Sequence, residues 1–124
     1  MTIAYWITAG LLAFVYFMSG GMKVVRNKEA LLASGQNWVK NVNPAMPKIV
    51  GLLEVLGAVG VIVPPLVGIA VILAPAAAIG LALVQVVAIV VHVRLGETKQ
   101  LAVNVVLLAL AVSVAVLAFY AFTF

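Results

Sequence analysis

Four long runs of apolar residues alternate with shorter polar stretches along the chain of 124 residues. Each run is close to the roughly 20 residues that an α-helix needs to cross the hydrocarbon core of a bilayer. The expected spans cover residues 3–22, 46–63, 66–91 and 101–122. The pattern therefore predicts an all-α integral membrane protein in which residues 1–124 form a single transmembrane domain.

Prolines and asparagines mark the expected ends of these helices. Asn43 and Pro44 are typical of a helix start, and Pro64-Pro65 favours a tight turn after the second span. Pro75 lacks a backbone N–H, so we expect it to remove one hydrogen bond from the third span and to kink it. Because the connections on both sides of the third span are short, the helices are expected to form an antiparallel four-helix bundle.

The longest polar connection, residues 23–48, is expected to contain a short interfacial helix between the first and second spans. Asn27 can cap that helix, and Trp38 can lie among the lipid headgroups. An ordinary ordered loop is the alternative interpretation of the same residues.

Composition agrees with a membrane protein. Hydrophobic residues make up 67% of the chain and charged residues only 8%, whereas about a quarter of the residues of a soluble domain are charged. The basic residues form no dense run, so the net charge of +4 indicates topology rather than a nucleic-acid partner. The absence of cysteine excludes disulfides, thiolate ligands and thiol redox chemistry.

The basic residues also predict an orientation. All seven lie in residues 23–48 and 92–100, and the positive-inside rule places these two connections in the cytoplasm. Both termini are then on the outer side, where aromatic residues near the two chain ends would share one interface. The expected location is the cell membrane, that is the inner or plasma membrane, with bilayer lipid as the immediate partner.

Every expected span has a polar side chain on a stripe with helical spacing, and these side chains fall in the cytoplasmic half of the bundle. An ionisable residue inside a span is a functional candidate by default. Glu54 needs a cation, hydrogen bonds, a proton or water at that depth, and Lys23 and His92 are its candidate partners. The predicted polar cluster, a candidate ligand site, consists of Lys23, Glu54, Gln85, His92 and Asn104.

Each of these residues also has a structural interpretation, which for His92 is that of an interfacial histidine. Glu54 can be a buried tie that fixes the register of the helices, and Gln85 and Asn104 can be interhelical hydrogen bonders. His92 alone predicts no metal site, because a single imidazole has no companion ligands. The chain has no aspartate and hence no Ser-His-Asp set, so no catalytic residues are predicted.

Three segments in chain order resemble the DoxX-like family of small four-helix membrane proteins: SGGMKVVRNKEAL, GLLEVLGAVGVIVPP and VVHVRLGETKQLAVN. The resemblance covers essentially the whole chain and rests on Lys23, Glu54, Gly57, Gly60, Pro64, His92, Gly96 and Asn104. It implies the four-helix membrane fold. It also implies a link to membrane redox systems, because related DoxX and DoxD proteins include a thiosulfate:quinone oxidoreductase subunit, while more distant relatives look like assembly factors for membrane receptors.

The leading functional hypothesis is a non-catalytic accessory or scaffold subunit whose polar cleft holds a quinone- or lipid-like ligand, with quinone as the candidate cofactor. The alternative is an assembly or chaperone-type partner of other membrane proteins. An oxidoreductase subunit with its own quinone chemistry ranks third, because no acid–base pair or redox group is evident. A membrane redox complex or other membrane proteins are the expected partners, and the alanine-rich stripes also suit a homo-oligomer.

Overall fold

The computed structural model describes residues 2–124. Within that range the chain is helical, without strands, and its four long helices are each long and apolar enough to cross a membrane. The elements in chain order are α1 (Thr2–Val25), α2 (Lys28–Ala33), a 3-10 helix (Asn37–Asn41), α3 (Ala45–Val67), α4 (Leu73–Arg94), a second 3-10 helix (Thr98–Gln100) and α5 (Leu101–Ala121). The expected all-α, multi-pass membrane fold is confirmed.

The four long helices form a closed bundle. Helix α1 packs against α3 and α5, and α4 packs against the same two helices from the other side. The rings of Tyr5 and Phe122 meet at a centroid distance of 4.7 Å, so both ends of the chain lie at one end of the bundle. We call this the terminal end, and we call the opposite end, with residues 26–44 and 95–100, the loop end.

The apolar core lies mainly in the half of the bundle nearer the terminal end. Small residues allow the helices to approach closely there. A Cβ atom added to Gly57 would overlap the side chain of Leu81, and one added to Gly60 would lie 2.7 Å from Cβ of Ala77. Helices α3 and α4 are therefore in direct contact in this half. The buried apolar residues of the core are Tyr5, Ala9, Leu12, Ala13, Tyr16, Ala58, Val61, Ala74, Ala78, Leu81, Ala111, Val114, Ala115 and Ala118.

The predicted end of the second span is wrong, because Pro64 and Pro65 lie inside the last turns of α3. A proline at position 65 cannot donate a backbone N–H to the carbonyl of Val61, one turn earlier. The hydroxyl of Tyr5 donates to that carbonyl instead, at 2.6 Å. The helix therefore continues to Val67, and the chain reverses after Gly68, which has a φ of +72°.

The third span also begins later than predicted, at Leu73 instead of residue 66. Pro75 then occupies the first turn of α4, where backbone N–H groups have no acceptor within the helix. The prediction that Pro75 removes a hydrogen bond from the span and so kinks it is therefore wrong.

The predicted cap at Asn27 is confirmed, because its side chain accepts a hydrogen bond from the backbone N–H of Ala30 at 2.8 Å. The side chain of Asn43 accepts a hydrogen bond from the backbone N–H of Ala45 at 2.9 Å, but Pro44 is the N-cap of α3 and the helix begins at Ala45, one residue later than a cap at Asn43 predicts. The connection between α1 and α3 contains the expected short helix, and its residues Leu31 and Val39 are buried. This connection is thus a folded part of the bundle.

Candidate functional site

The carboxylate of Glu54 lies inside the bundle and is bonded to a cation. Glu54 is only 3% exposed, and Nζ of Lys23 lies 2.5 Å from its Oε1. The same Nζ donates to the hydroxyl of Ser19 at 3.0 Å, and that hydroxyl lies 3.5 Å from Oε2 of Glu54. We call these three residues the ion-pair cluster. Of the two expected partners of Glu54, Lys23 is the one that bonds to it.

Two glycines bring the members of the ion-pair cluster together. A Cβ atom on Gly20 would lie 2.5 Å from the carbonyl oxygen of Gly51, and one on Gly51 would lie 2.6 Å from the carbonyl oxygen of Gly20. The backbones of α1 and α3 therefore touch at this point. Gly20 lies less than one turn before Lys23 and Gly51 less than one turn before Glu54, so the crossing sets the distance between cation and carboxylate.

A second polar group connects three helices through neutral side chains. The hydroxyl of Tyr16 on α1 donates to Oε1 of Gln85 on α4 at 2.5 Å, and Nε2 of Gln85 donates to Oδ1 of Asn104 on α5 at 2.7 Å. All three residues are buried. We call them the amide chain. Nδ2 of Asn104 is buried and has no hydrogen-bond partner among residues 2–124. The last residue of the amide chain therefore has an unused hydrogen-bond donor.

His92 lies near the end of α4, and its acidic neighbour is Glu97 rather than Glu54. Nδ1 of His92 is 3.7 Å from Oε2 of Glu97, a distance too long for a strong hydrogen bond. Nδ1 of His92 and Oε1 of Glu97 are both buried without a hydrogen-bond partner in residues 2–124. The polar edge of the site therefore extends to the end of α4.

These groups surround one cavity of about 560 Å³, a volume typical of sites for small molecules. All five residues of the predicted polar cluster line it, so the structure brings that cluster together. The polar lining residues are Tyr16, Ser19, Lys23, Gln36, Trp38, Glu54, Gln85, His92, Gln100 and Asn104. The remaining lining residues are apolar: Val15, Val50, Leu53, Leu83, Val84, Val87, Ala88, Val91, Val103 and Leu107.

The apolar wall reaches the outer surface of the bundle. Leu53 on α3 is 52% exposed, and Leu83 and Val87 on α4 are each 62% exposed. These side chains, and Val103 of α5, which is 54% exposed, belong to spans that lie against lipid, so the cavity reaches the lipid-facing surface of the bundle. The arrangement can hold a molecule with a polar head among the buried side chains and an apolar body against α3 and α4.

The predicted polar cluster leaves out five polar lining residues: Tyr16, Ser19, Gln36, Trp38 and Gln100. The last three lie in or beside loops, and helical spacing within a span says nothing about how a connection folds over the bundle end. Trp38 was expected among lipid headgroups, whereas its Nε1 donates to Oε1 of Gln36 at 2.8 Å beside the cavity. Helical spacing does place Tyr16 and Ser19 on the same face of the first span as Lys23, although the predicted cluster did not include them.

Residues 7–114 match the family model described as the DoxX-like family. The match covers most of the 124 residues, and the chain belongs to the DoxX-like family. The resemblance seen in the sequence is thereby confirmed. No curated protein and no solved structure matches the chain.

Proposed function

We propose that this member of the DoxX-like family is a non-catalytic accessory subunit of the membrane whose cavity binds a quinone- or lipid-like molecule. The observation that supports this most directly is the convergence of Lys23, Glu54, Gln85, His92 and Asn104 on one cavity of about 560 Å³. Polar residues within membrane spans are costly and commonly mark ligand or ion sites. In this protein they come from every long helix to a single volume.

The two kinds of wall match an amphipathic ligand. Buried amide and hydroxyl groups line one side, and valine and leucine side chains line the other. A ligand of this kind already dissolves in the bilayer, so it can enter through the opening beside Leu53, Leu83 and Val87 without crossing water. The head would then lie against the amide chain and the tail against α3 and α4.

The engagement of Glu54 supports a role without catalysis. Glu54 is bonded to Lys23 at 2.5 Å and lies near Ser19, so it holds α3 to α1. A general acid or base needs a free position beside the reacting group. Holding and presenting a ligand to a membrane redox complex requires only the shape and hydrogen bonds of the cavity.

Native mass spectrometry of protein extracted in a mild detergent tests the proposal. Ala88 lines the cavity, and Ala102 is an exposed residue of α5. We expect a bound amphipathic molecule in the wild type and in Ala102→Phe, and its loss in Ala88→Phe, whose ring takes up part of the cavity. A wild-type protein without a bound molecule, or equal occupancy in both variants, would overturn the proposal. A stoichiometric protein partner without any bound small molecule would favour the assembly role instead.

The proposal includes a location in the inner or plasma membrane with the loop end in the cytoplasm. The basic residues of the two connections support this orientation through the positive-inside rule. Because the chain has no cysteine, single cysteines at exposed Ser34 and Thr123 can be labelled on intact cells with a membrane-impermeant maleimide. We expect labelling of Thr123→Cys only. Labelling of Ser34→Cys alone would show that the loop end lies outside, the opposite of the proposed orientation.

A further inference from the structure

The direction of the hydrogen bonds in the amide chain carries information about the ligand. A tyrosine hydroxyl has one proton to donate. Oε1 of Gln85 lies 2.5 Å from the hydroxyl of Tyr16, while the carbonyl of Leu81 lies 3.4 Å away. The proton therefore goes to Gln85, which fixes the orientation of its amide. Nε2 of Gln85 must then face Oδ1 of Asn104, 2.7 Å away.

This orientation leaves a donor at the end of the chain. Nδ2 of Asn104 has no hydrogen-bond partner in residues 2–124 and is itself covered by protein atoms, so an acceptor reaches it when the amide turns toward the cavity that Asn104 lines. A buried N–H without an acceptor is unfavourable, whereas a ligand oxygen placed beside it removes that penalty. The complementary ligand therefore has a hydrogen-bond acceptor at its head.

The charges around the cavity indicate that this head is uncharged. The acidic and basic lining residues are Lys23, Glu54 and His92. Nζ of Lys23 forms an ion pair with Oε1 of Glu54 at 2.5 Å, and Nδ1 of His92 lies 3.7 Å from Oε2 of Glu97. An anionic head would have to lie near the carboxylate of Glu54 without a free cation to balance it. Burying an unbalanced charge is far more costly than burying a carbonyl group.

We infer that the ligand has an uncharged head whose carbonyl oxygen accepts a hydrogen bond from Nδ2 of Asn104. The inference rests on the proposed function and narrows its ligand class. Tyr16 and Gln85 are positioning residues, because they determine that Asn104 presents its N–H rather than its oxygen. Two sources share this chemistry: the carbonyl of a quinone ring and the ester carbonyl of a neutral glycerolipid.

Trp38 provides a reporter for the test. The chain has two tryptophans; Trp38 lines the cavity, whereas Trp6 lies beside Tyr5 and Phe122 at the terminal end. In a Trp6→Phe background the emission therefore comes from Trp38. Four probes of similar apolar length are titrated in detergent: decylubiquinone, dioctanoylglycerol, decyl phosphate and decylbenzene. Binding of decylubiquinone is measured by its quenching of Trp38 emission. Binding of the other three probes is measured by the change in Trp38 emission that they cause, or by their competition with decylubiquinone.

We expect a carbonyl probe to bind about tenfold more tightly than decylbenzene, which corresponds to one neutral hydrogen bond. Decyl phosphate should be no better than decylbenzene. Saturable quenching by decylubiquinone assigns the quinone source, and a response to dioctanoylglycerol alone assigns the ester. Tighter binding of decyl phosphate than of both carbonyl probes would overturn the inference while leaving the proposed function standing. If no probe binds, the proposed function fails and the inference falls with it.

Two variants locate the hydrogen bond. Asn104→Leu should weaken binding of the preferred carbonyl probe by about tenfold and leave the affinity for decylbenzene unchanged. Tyr16→Phe keeps Asn104 but frees the amide of Gln85 to rotate, so it should weaken the carbonyl probe relative to 4-decylphenol, whose hydroxyl can donate. This second variant tests the hydrogen bond even if Asn104→Leu does not fold. Unchanged preference for the carbonyl probe in both variants would overturn the inference.

Discussion

The ion-pair cluster and the amide chain lie in the same half of the bundle and line the same cavity, yet they differ in whether their hydrogen bonds are complete. In the first, Nζ of Lys23 contacts both Glu54 and Ser19. In the second, bonds run from Tyr16 through Gln85 to Asn104 and stop at an unused donor. Glu54 and the three residues of the amide chain are buried, whereas Lys23 and Ser19 are only partly buried, so the unused donor lies in the more buried of the two groups.

The difference separates two uses of polar residues inside a membrane. The ion-pair cluster lies where Gly20 and Gly51 bring two backbones into contact, and its charges balance each other. It is suited to fixing the position of α1 against α3. The amide chain also links helices, but it leaves one hydrogen-bond donor, Nδ2 of Asn104, without an acceptor in residues 2–124. A bound molecule could supply that acceptor. Predictions that act on one group and spare the other can test this division.

The largest expected effect on stability is that of Lys23→Met. It leaves the carboxylate of Glu54 buried without a cation, and a charge in a span costs about 3 kcal/mol. We expect the free energy of unfolding in detergent to fall by about that amount. The double variant Lys23→Met/Glu54→Leu should recover most of the loss, because replacing a whole buried pair is often neutral. Exposed Lys40→Met is the control. A single variant as stable as the wild type would contradict the prediction.

Gly20→Ala should be the next most destabilising change. The added methyl group would lie 2.5 Å from the carbonyl oxygen of Gly51, and forcing an extra carbon into a packed contact costs about 1–3 kcal/mol. Gly21→Ala is a matched control on the same helix, because a Cβ atom there has nothing within 4 Å. Unfolding of both variants in the same detergent gives the comparison. Equal stability of the two would show that the close crossing is not needed.

Tyr5→Phe tests a complete polar contact at the terminal end. The variant removes the donor at 2.6 Å from the carbonyl of Val61, and we expect a loss of about 1–2 kcal/mol in unfolding free energy. Pro65→Ala would restore a backbone N–H for that carbonyl, so the same tyrosine change should cost less in a Pro65→Ala background. Additive effects of the two substitutions would argue against this compensation. Exposed Tyr120→Phe is the control.

Asn104→Leu should have the smallest effect on stability. It removes one neutral interhelical hydrogen bond, a contact that contributes about 0.6 kcal/mol on average within membranes. The same variant should lose most of the molecule that co-purifies with the wild type, measured by native mass spectrometry. Lys23→Met/Glu54→Leu should show the reverse pattern for ligand retention, keeping the molecule. A severe loss of stability in Asn104→Leu would place the amide chain with the structural contacts.

Most of the fold could be predicted because membrane spans depend on local hydropathy and local capping. The prediction of the runs that form α1 and α5, and of the cap at Asn27, required no knowledge of tertiary contacts. The boundary between α3 and α4 did require it. Prolines at positions 64 and 65 usually favour a turn, but the hydroxyl of Tyr5 bonds to the carbonyl that Pro65 leaves free. Tyr5 lies 56 positions before Val61 along the chain, so local sequence could not reveal this contact.

The sequence could predict which polar residues lie together in the candidate site, but it could not predict how they bond to one another. Helical spacing and depth placed five polar residues in one half of the bundle, and all five line one cavity. Spacing could not decide whether Lys23 or His92 bonds to Glu54, because both end their helices at the same level. It also could not give the direction of the amide chain, which depends on the contact between Tyr16 and Gln85 across two helices.

The most direct test of the division is the affinity for decylubiquinone of the double variant Lys23→Met/Glu54→Leu, measured by quenching of Trp38 in the Trp6→Phe background. If the ion pair only holds α1 to α3, the dissociation constant should stay within about threefold of that without the double substitution, a change below about 0.7 kcal/mol. Loss of binding in a variant that is still folded would contradict the account, because the ion pair would then belong to the ligand site itself.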